Sequence, residues 1–347
     1  MIDMELPWHV DTLTRALAQR DRLPNALLLL GEAGIGKSRY AQALAGALLC
    51  ESPAADGRAC GRCDACGWVR AGTHPDLRVL TLPVDEDGKV GREIRIEQLR
   101  ALAEFLNVGG HRGGRRVVLV DPADAMNTVT SNALLKTLEE PGEGLVFVLV
   151  SGRPDAIAPT VRSRCQARVL GAPSPDAALA WVRERTGSGP DEARTWLAMA
   201  GGAPLHATRF AEPGQAAAHR AVLEAIAALP ETSPEAAADA LQRVEARLWM
   251  PLMQRWLTDV GRCLVGAGPR YFPAHGPRLE ALARRADATG VARAGRALAG
   301  QSRLVEHPLN PRLFCEASIQ CYLDAFRTPS PGAADRTTRD GTALRGA

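Results

Sequence analysis

The first 170 residues alternate short apolar runs with amphipathic stretches. Ala26-Leu-Leu-Leu-Leu30 has the length and composition of a strand buried on both faces, and Arg39 to Leu49 follows it with helical spacing. Leu77 to Leu82, Val117 to Val120 and Val146 to Val150 repeat the strand signal. Ile96 to Leu106 and Thr130 to Leu138 carry helical spacing, the second stopping before Pro141. Strands alternating with helices predict a parallel, doubly wound α/β sheet. From Ser174 the strand signal ends, and Pro175 to Arg185, Asp191 to Ala200 and Gln215 to Leu229 read as Ala-, Leu- and Arg-rich helices separated by Gly and Pro. The expected division is an α/β domain over 1–170, a small helical lid over 171–212 ending at the Glu212-Pro-Gly214 break, a helical domain over 213–327, and a disordered tail over 328–347.

A chain of 347 residues buries enough apolar surface for two or three domains without disulfides. No apolar stretch approaches the roughly 20 residues that span a bilayer, and the acidic opening Met1-Ile-Asp-Met-Glu is unlike a signal peptide, so a cytoplasmic location is expected. The net charge of +3, carried mainly by arginine, identifies no partner. Four of the eight cysteines cluster, while Cys165, Cys263, Cys315 and Cys321 are scattered as buried thiols are, which argues against a disulfide framework.

Gly31-Glu-Ala-Gly-Ile-Gly-Lys-Ser38 is a complete phosphate-binding loop between the first strand and the next helix. Gly31, Gly34 and Gly36 let backbone amides close around phosphate oxygens, Lys37 reaches the terminal phosphates, and the Ser38 hydroxyl suits Mg²⁺. ATP or ADP with Mg²⁺ is the implied ligand. Asp121, ending the strand Val117 to Val120, can serve the metal. It runs into Pro122, which supplies no carboxylate to activate water. Asp124 is the nearest replacement carboxylate, and the preferred reading makes it a cap of the following helix.

Cys50-x9-Cys60-x2-Cys63-x2-Cys66 supplies four thiolates in a compact Gly-containing segment, the donor set of a structural Zn²⁺ site. An iron–sulfur cluster is the other metal reading and unligated thiols the third. His74, beside Pro75, reads as a local hydrogen-bonding residue and not as a ligand.

These residues, with Ala71-Gly-Thr-His-Pro-Asp76, the helix Asn132-Ala-Leu-Leu-Lys-Thr-Leu-Glu-Glu-Pro141, Ser163-Arg-Cys165 and His307-Pro-Leu-Asn-Pro311, carry a resemblance. From Pro7-Trp8 to about Arg327 the chain resembles the delta-prime subunit family of bacterial DNA polymerase III clamp loaders, a branch of the AAA+ proteins. The resemblance implies an AAA+ P-loop sheet domain with a zinc-module insertion, a helical lid and an all-α oligomerisation collar. It also implies that Arg164 projects into a neighbouring subunit's nucleotide site as an arginine finger, its competing reading being a surface salt bridge. Ser151 falls where the family places a polar γ-phosphate sensor, although a Ser before Gly152 also suits a turn. Leu205, within Gly202-Ala-Pro-Leu-His206, stands where motor subunits carry a lid arginine. The implied role is a stator that supplies Arg164 without hydrolysing ATP itself, partnered by tau/gamma ATPases, the delta subunit, the sliding clamp and primer-template DNA. Lys136, Arg112, Arg115 and Arg116 are candidate DNA contacts, with a solvated loop the preferred reading for the arginines. An active AAA+ motor and a zinc-containing DNA-binding adaptor are the alternatives. No polymerase or nuclease carboxylate constellation accompanies these motifs.

Overall fold

A computed structural model describes residues 6–107, 114–305, 307 and 309–327; the expected tail at 328–347 and Arg112 lie outside the described residues. The chain divides into two compact units, Met1–Ala180 and Trp181–Ala347.

The first unit is built on five strands: β1 (Ala26–Leu30), β2 (Leu77–Leu80), β3 (Arg116–Val120), β4 (Leu145–Val150) and β5 (Gln166–Val169). All neighbouring pairs are parallel, in the order β2-β3-β4-β1-β5. The helices of this unit are α1 (Val10–Ala18), α2 (Lys37–Leu49), α3 (Asp64–Ala71), α4 (Ile96–Arg100), α5 (Ala103–Asn107), α6 (Thr128–Glu139) and α7 (Pro159–Arg162). Successive strand residues face opposite sides, so β1 divides its leucines between two cores. Leu27 and Leu29 pack with Leu13 of α1 and Leu44 of α2, while Leu28 packs with Leu134 and Leu138 of α6 and Val161 of α7. Burial on both faces is the physical reason that β1, β3 and β4 read as unbroken apolar runs.

Some expected elements end elsewhere. The Ile96 to Leu106 helix is divided at Ala101 and Leu102, where Leu102 N–H donates to Leu99 O in a tighter turn. β2 stops at Leu80, while β3 and β4 each begin one residue earlier than expected. The helix expected from Thr130 starts at Thr128, with the Asn127 side chain accepting from Thr130 N–H as its cap. That replaces the capping role expected of Asp124, which lies in a separate turn over Ala123–Ala125. β5 was absent from the expected strands. It lies at the sheet edge, and three of its four residues are exposed, which removes the apolar signal.

In the second unit the described residues are helical beyond α8 (Pro175–Thr186), which carries the division between the units. α9 (Pro190–Met199), α10 (Pro204–Phe210) and α11 (Gln215–Ala228) are followed by α12 (Pro234–Leu241) and α13 (Ala246–Leu264). α14 (Gly276–Ala283), α15 (Ala288–Ser302) and α16 (Pro311–Leu323) complete the set. α13 is central, with Trp249, Met253, Trp256 and Val260 fully buried. Its Asp259 is fully buried too, and accepts the backbone N–H groups of Arg270, Tyr271 and Phe272, each at 2.8 Å. The parallel sheet, the P-loop leaving β1, the four-cysteine insertion and the helical remainder together realise the expected AAA+-type plan.

Candidate functional site

The P-loop occupies the turn from β1 into α2, and its glycines have the conformations that the turn demands. Gly31, Gly34 and Gly36 have φ of 149°, 78° and 99°. A Cβ at Gly31 would lie 2.7 Å from Leu170 O and 2.8 Å from Ile35 Cδ1, so a side chain is excluded by space as well as by φ. Gly36 is the N-cap of α2, which places Lys37 and Ser38 at a helix start where amides and the helix dipole attract anions.

Lys37 is buried and turns back to donate to Gly31 O at 3.0 Å and Glu32 O at 2.8 Å. Burial lowers its pKa, opposed by the charges of Asp121 and Asp124. Asp121 shows the converse: burial raises its pKa, against a hydrogen bond from Ser38 and the charge of Lys37. Each member of this pair is short of compensating charge, so phosphate beside Lys37 and a divalent cation beside Asp121 and Ser38 would each relieve a desolvation penalty. The residues present therefore fit Mg²⁺ and nucleotide.

Ser151 and Asp124 meet in one network. The buried Ser151 Oγ–H donates to Asp124 Oδ1 at 2.8 Å and accepts from Arg153 N–H at 3.0 Å, while Arg153 Nε donates to Asp124 Oδ2 at 2.8 Å. Both Asp124 oxygens are thus engaged, and its carboxylate is held as an acceptor. Pro122 follows Asp121 through a cis peptide bond.

Arg164 lies in the exposed turn between α7 and β5. Its Nε donates to Glu139 Oε1 at 2.6 Å, its Nη2 meets the same oxygen, and Nη1 donates to Thr160 O at 2.9 Å. Of five guanidinium N–H groups, three are taken within the described residues and two remain for another acceptor.

The four clustered cysteines converge. Their sulfur atoms all lie within 4.8 Å of one another, with Cys50–Cys66 at 3.7 Å, Cys50–Cys63 at 3.8 Å and Cys60–Cys66 at 4.0 Å. Metal–sulfur bonds of about 2.3 Å in a tetrahedron put sulfur atoms about 3.8 Å apart, so this group fits a tetrahedral ion. Backbone N–H groups of Cys60, Cys63 and Cys66 donate to the sulfurs of Cys50, Cys60 and Cys63 respectively. Amide donation from Arg62 and Cys63 brings Cys60 down to about 6, while burial pushes Cys66 up to about 12. His74 stays outside the group, its Nδ1 accepting from Asp76 N–H at 3.0 Å. Elsewhere, burial pushes Cys165 and Cys315 each up to about 11.

Of the candidate DNA contacts, Lys136 is exposed on α6. Arg116 is buried, donating to Glu143 O at 3.2 Å and to Phe105 O, which withdraws it from any nucleic-acid surface. Arg115 is half-buried, donates to Arg20 O and lies 3.7 Å from Asp21. Leu205 is half-buried on α10, and Arg209 is exposed four positions later on the same helix face.

A family model described as DNA polymerase III, delta subunit, matches residues 8–173. The DNA polymerase III subunit delta' of Pseudomonas aeruginosa is 39% identical over 254 residues, 73% of this chain and 75% of that protein. The chain belongs to the DNA polymerase III delta' family. The Escherichia coli delta' subunit is 33% identical over 200 residues, 57% of this chain and 58% of its own length. The tau subunit of Escherichia coli is also 33% identical, over 157 residues that make up 45% of this chain and 23% of that protein. This delta' family member is therefore a clamp-loader-related subunit with relatives among other DNA polymerase III components. Among its described residues, no helix is long and apolar enough to cross a membrane.

Two parts of the site were not singled out in the sequence. Glu139 lies inside the Leu-Glu-Glu-Pro segment, but nothing in its spacing announces Arg164 as its partner. Arg153 sits two residues beyond Ser151, and only the fold brings both to Asp124.

Proposed function

We propose that this chain is the stator of a cytoplasmic DNA polymerase III clamp loader, binding nucleotide without hydrolysing it and lending Arg164 to an adjacent tau/gamma ATPase. The observation that carries this reading is the engagement of Asp124. Proline at position 122 offers no carboxylate, and Ser151 and Arg153 hold both oxygens of Asp124, which supports a site that does not activate water.

Nucleotide bound with Mg²⁺ would supply phosphate charge for the loop to hold. Gly31, Gly34 and Gly36 shape the amide cradle, Lys37, now on the Gly31 and Glu32 carbonyls, would pair with phosphate, and Ser38 and Asp121 would hold the metal. Ser151 orients Asp124, whose charge acts on Lys37, together with Arg153. In trans, Arg164 exchanges Glu139 for the neighbour's phosphoryl oxygens, where a planar guanidinium stabilises charge as it develops. Cys50, Cys60, Cys63 and Cys66 hold a structural Zn²⁺. Residues 1–170 form the AAA+ domain, 171–212 the lid and 213–327 the collar, through which the chain supports the delta subunit and, as part of the assembly, the sliding clamp and primer-template DNA. Among the described candidates for DNA contact, the exposed Lys136 is the one free of such engagement, while Arg115 is held by Arg20 O and Asp21.

The test is ATP turnover by assemblies reconstituted with clamp and primed DNA, using the wild-type chain or Arg164→Ala, beside the isolated chain. The isolated chain is expected to be inactive, and Arg164→Ala to lower assembly turnover by at least about tenfold. Turnover by the isolated chain, or an assembly indifferent to Arg164, would overturn the stator role.

A further inference from the structure

One backbone carbonyl of the P-loop is held by two aromatic rings that no motif assigns. Trp8 Nε1–H donates to Ile35 O at 2.9 Å, and His9 Nε2 lies 2.9 Å from the same oxygen. A carbonyl oxygen only accepts, so His9 carries its proton on Nε2, and the two rings fill both lone pairs of Ile35 O. The Ile35–Gly36 peptide is trans. In a planar trans peptide the C=O and the next N–H point in opposite directions. Anchoring Ile35 O toward Trp8 and His9 therefore aims Gly36 N–H away from them, at the start of α2 where the loop closes on its ligand.

The anchors are themselves fixed. His9 is buried, its backbone N–H donates to Leu6 O at 2.8 Å, and its ring meets the buried Tyr40 of α2 edge-on at 5.8 Å. Burial also lowers its pKa, which keeps the ring neutral. Glycine at 36 has no side chain to hold its own amide in place, and at φ 99° it has wide backbone freedom. External restraint on this peptide plane is what the two rings provide.

We propose that Trp8 and His9 are positioning residues for phosphate recognition, setting the Gly36 amide toward the outer phosphates of a nucleoside diphosphate or triphosphate. The inference rests on the nucleotide-binding reading of the P-loop.

The test uses the full chain and calorimetric titration with MgADP and with AMP, which lacks the outer phosphate. Replacing Trp8→Phe and His9→Leu together removes two neutral hydrogen bonds, and the preference for ADP over AMP is expected to fall about tenfold. His9→Gln, which keeps an N–H donor at the corresponding reach, is expected to retain the preference. Trp8→Phe alone, at a half-exposed position, is expected to lose about threefold and gives a folded comparison if the double variant unfolds. An unchanged preference in either donor-lacking variant, or equal weakening of ADP and AMP, would refute the positioning role while leaving nucleotide binding intact. A wild-type chain that binds neither ligand would instead overturn the nucleotide reading, and this inference with it.

Discussion

Replacing Asp259 tests whether a single buried carboxylate organises the helical unit. The side chain is fully buried within α13, and its charge is met by three backbone amides. Oδ1 accepts from Arg270 N–H, and Oδ2 from Tyr271 and Phe272 N–H, all at 2.8 Å. Hydrogen bonds to a charged group are each worth about 1.5–3 kcal/mol net, and an orphaned buried amide costs about 1–3 kcal/mol. Asn in place of Asp keeps one carbonyl oxygen for Tyr271 and Phe272 but turns an NH₂ toward Arg270 N–H, for an expected loss of about 3 kcal/mol. Ala orphans all three amides, for about 4–5 kcal/mol. At about 2–4 °C per kcal/mol for a unit of this size, Asp259→Asn lowers the unfolding midpoint of residues 181–347 by about 6–12 °C. Trp256, whose ring centroid lies 5.3 Å from that of Phe272, reports the change by fluorescence, with calorimetry resolving the two units. An Ala variant whose helical unit melts within about 2 °C of wild type would refute the reasoning.

Gly31→Ala combines a 2.7 Å approach to Leu170 O with φ of 149°, and is expected to destabilise the sheet unit by about 2 kcal/mol or more in urea titration. Cys63→Ser removes one of four converging thiols and the N-cap acceptor of α3; bound zinc, measured by chromogenic chelator release, is expected to fall from one equivalent in the wild type to well below that. Glu231 is held below its usual 4.5 by hydrogen bonding to Arg278, with Arg285 adding its charge. A depressed carboxylate contributes stability above pH 4.5 and loses it as pH falls through its folded value. Melting curves from about pH 5 to about pH 3 are therefore expected to show a smaller loss in Glu231→Gln than in wild type, and equal losses would contradict this.

The sheet was legible because its central strands are apolar on both faces, which leaves unbroken runs such as Val117 to Val120. β5 was not legible because Gln166 and Arg168 dilute an edge strand that buries little. The four cysteines could be grouped from spacing alone, since a local metal site is encoded in consecutive turns. Asp124 could not be placed: its partners Ser151 and Arg153 are 27 and 29 residues away, and only the β4 end brings them within reach. Arg164 fell between. Its tripeptide marked it, and the structure adds a pairing with Glu139, 25 residues away, that no spacing announces. The Trp8 and His9 contacts were invisible for a further reason: both rings address a backbone carbonyl, and backbone leaves no imprint on the residue pattern.

α2 begins at Lys37 and is followed directly by Cys50, its C-cap. Thirteen residues at 1.5 Å each make a strut of about 20 Å, with the phosphate cradle at one end and the sulfur tetrahedron at the other. An ion clamping Cys50 would stop the last turn of that strut from fraying, and a phosphate at Lys37 would do the same for the first. One rod would then answer to two tethers, and the exchange of its amide hydrogens with solvent would record the occupancy of both.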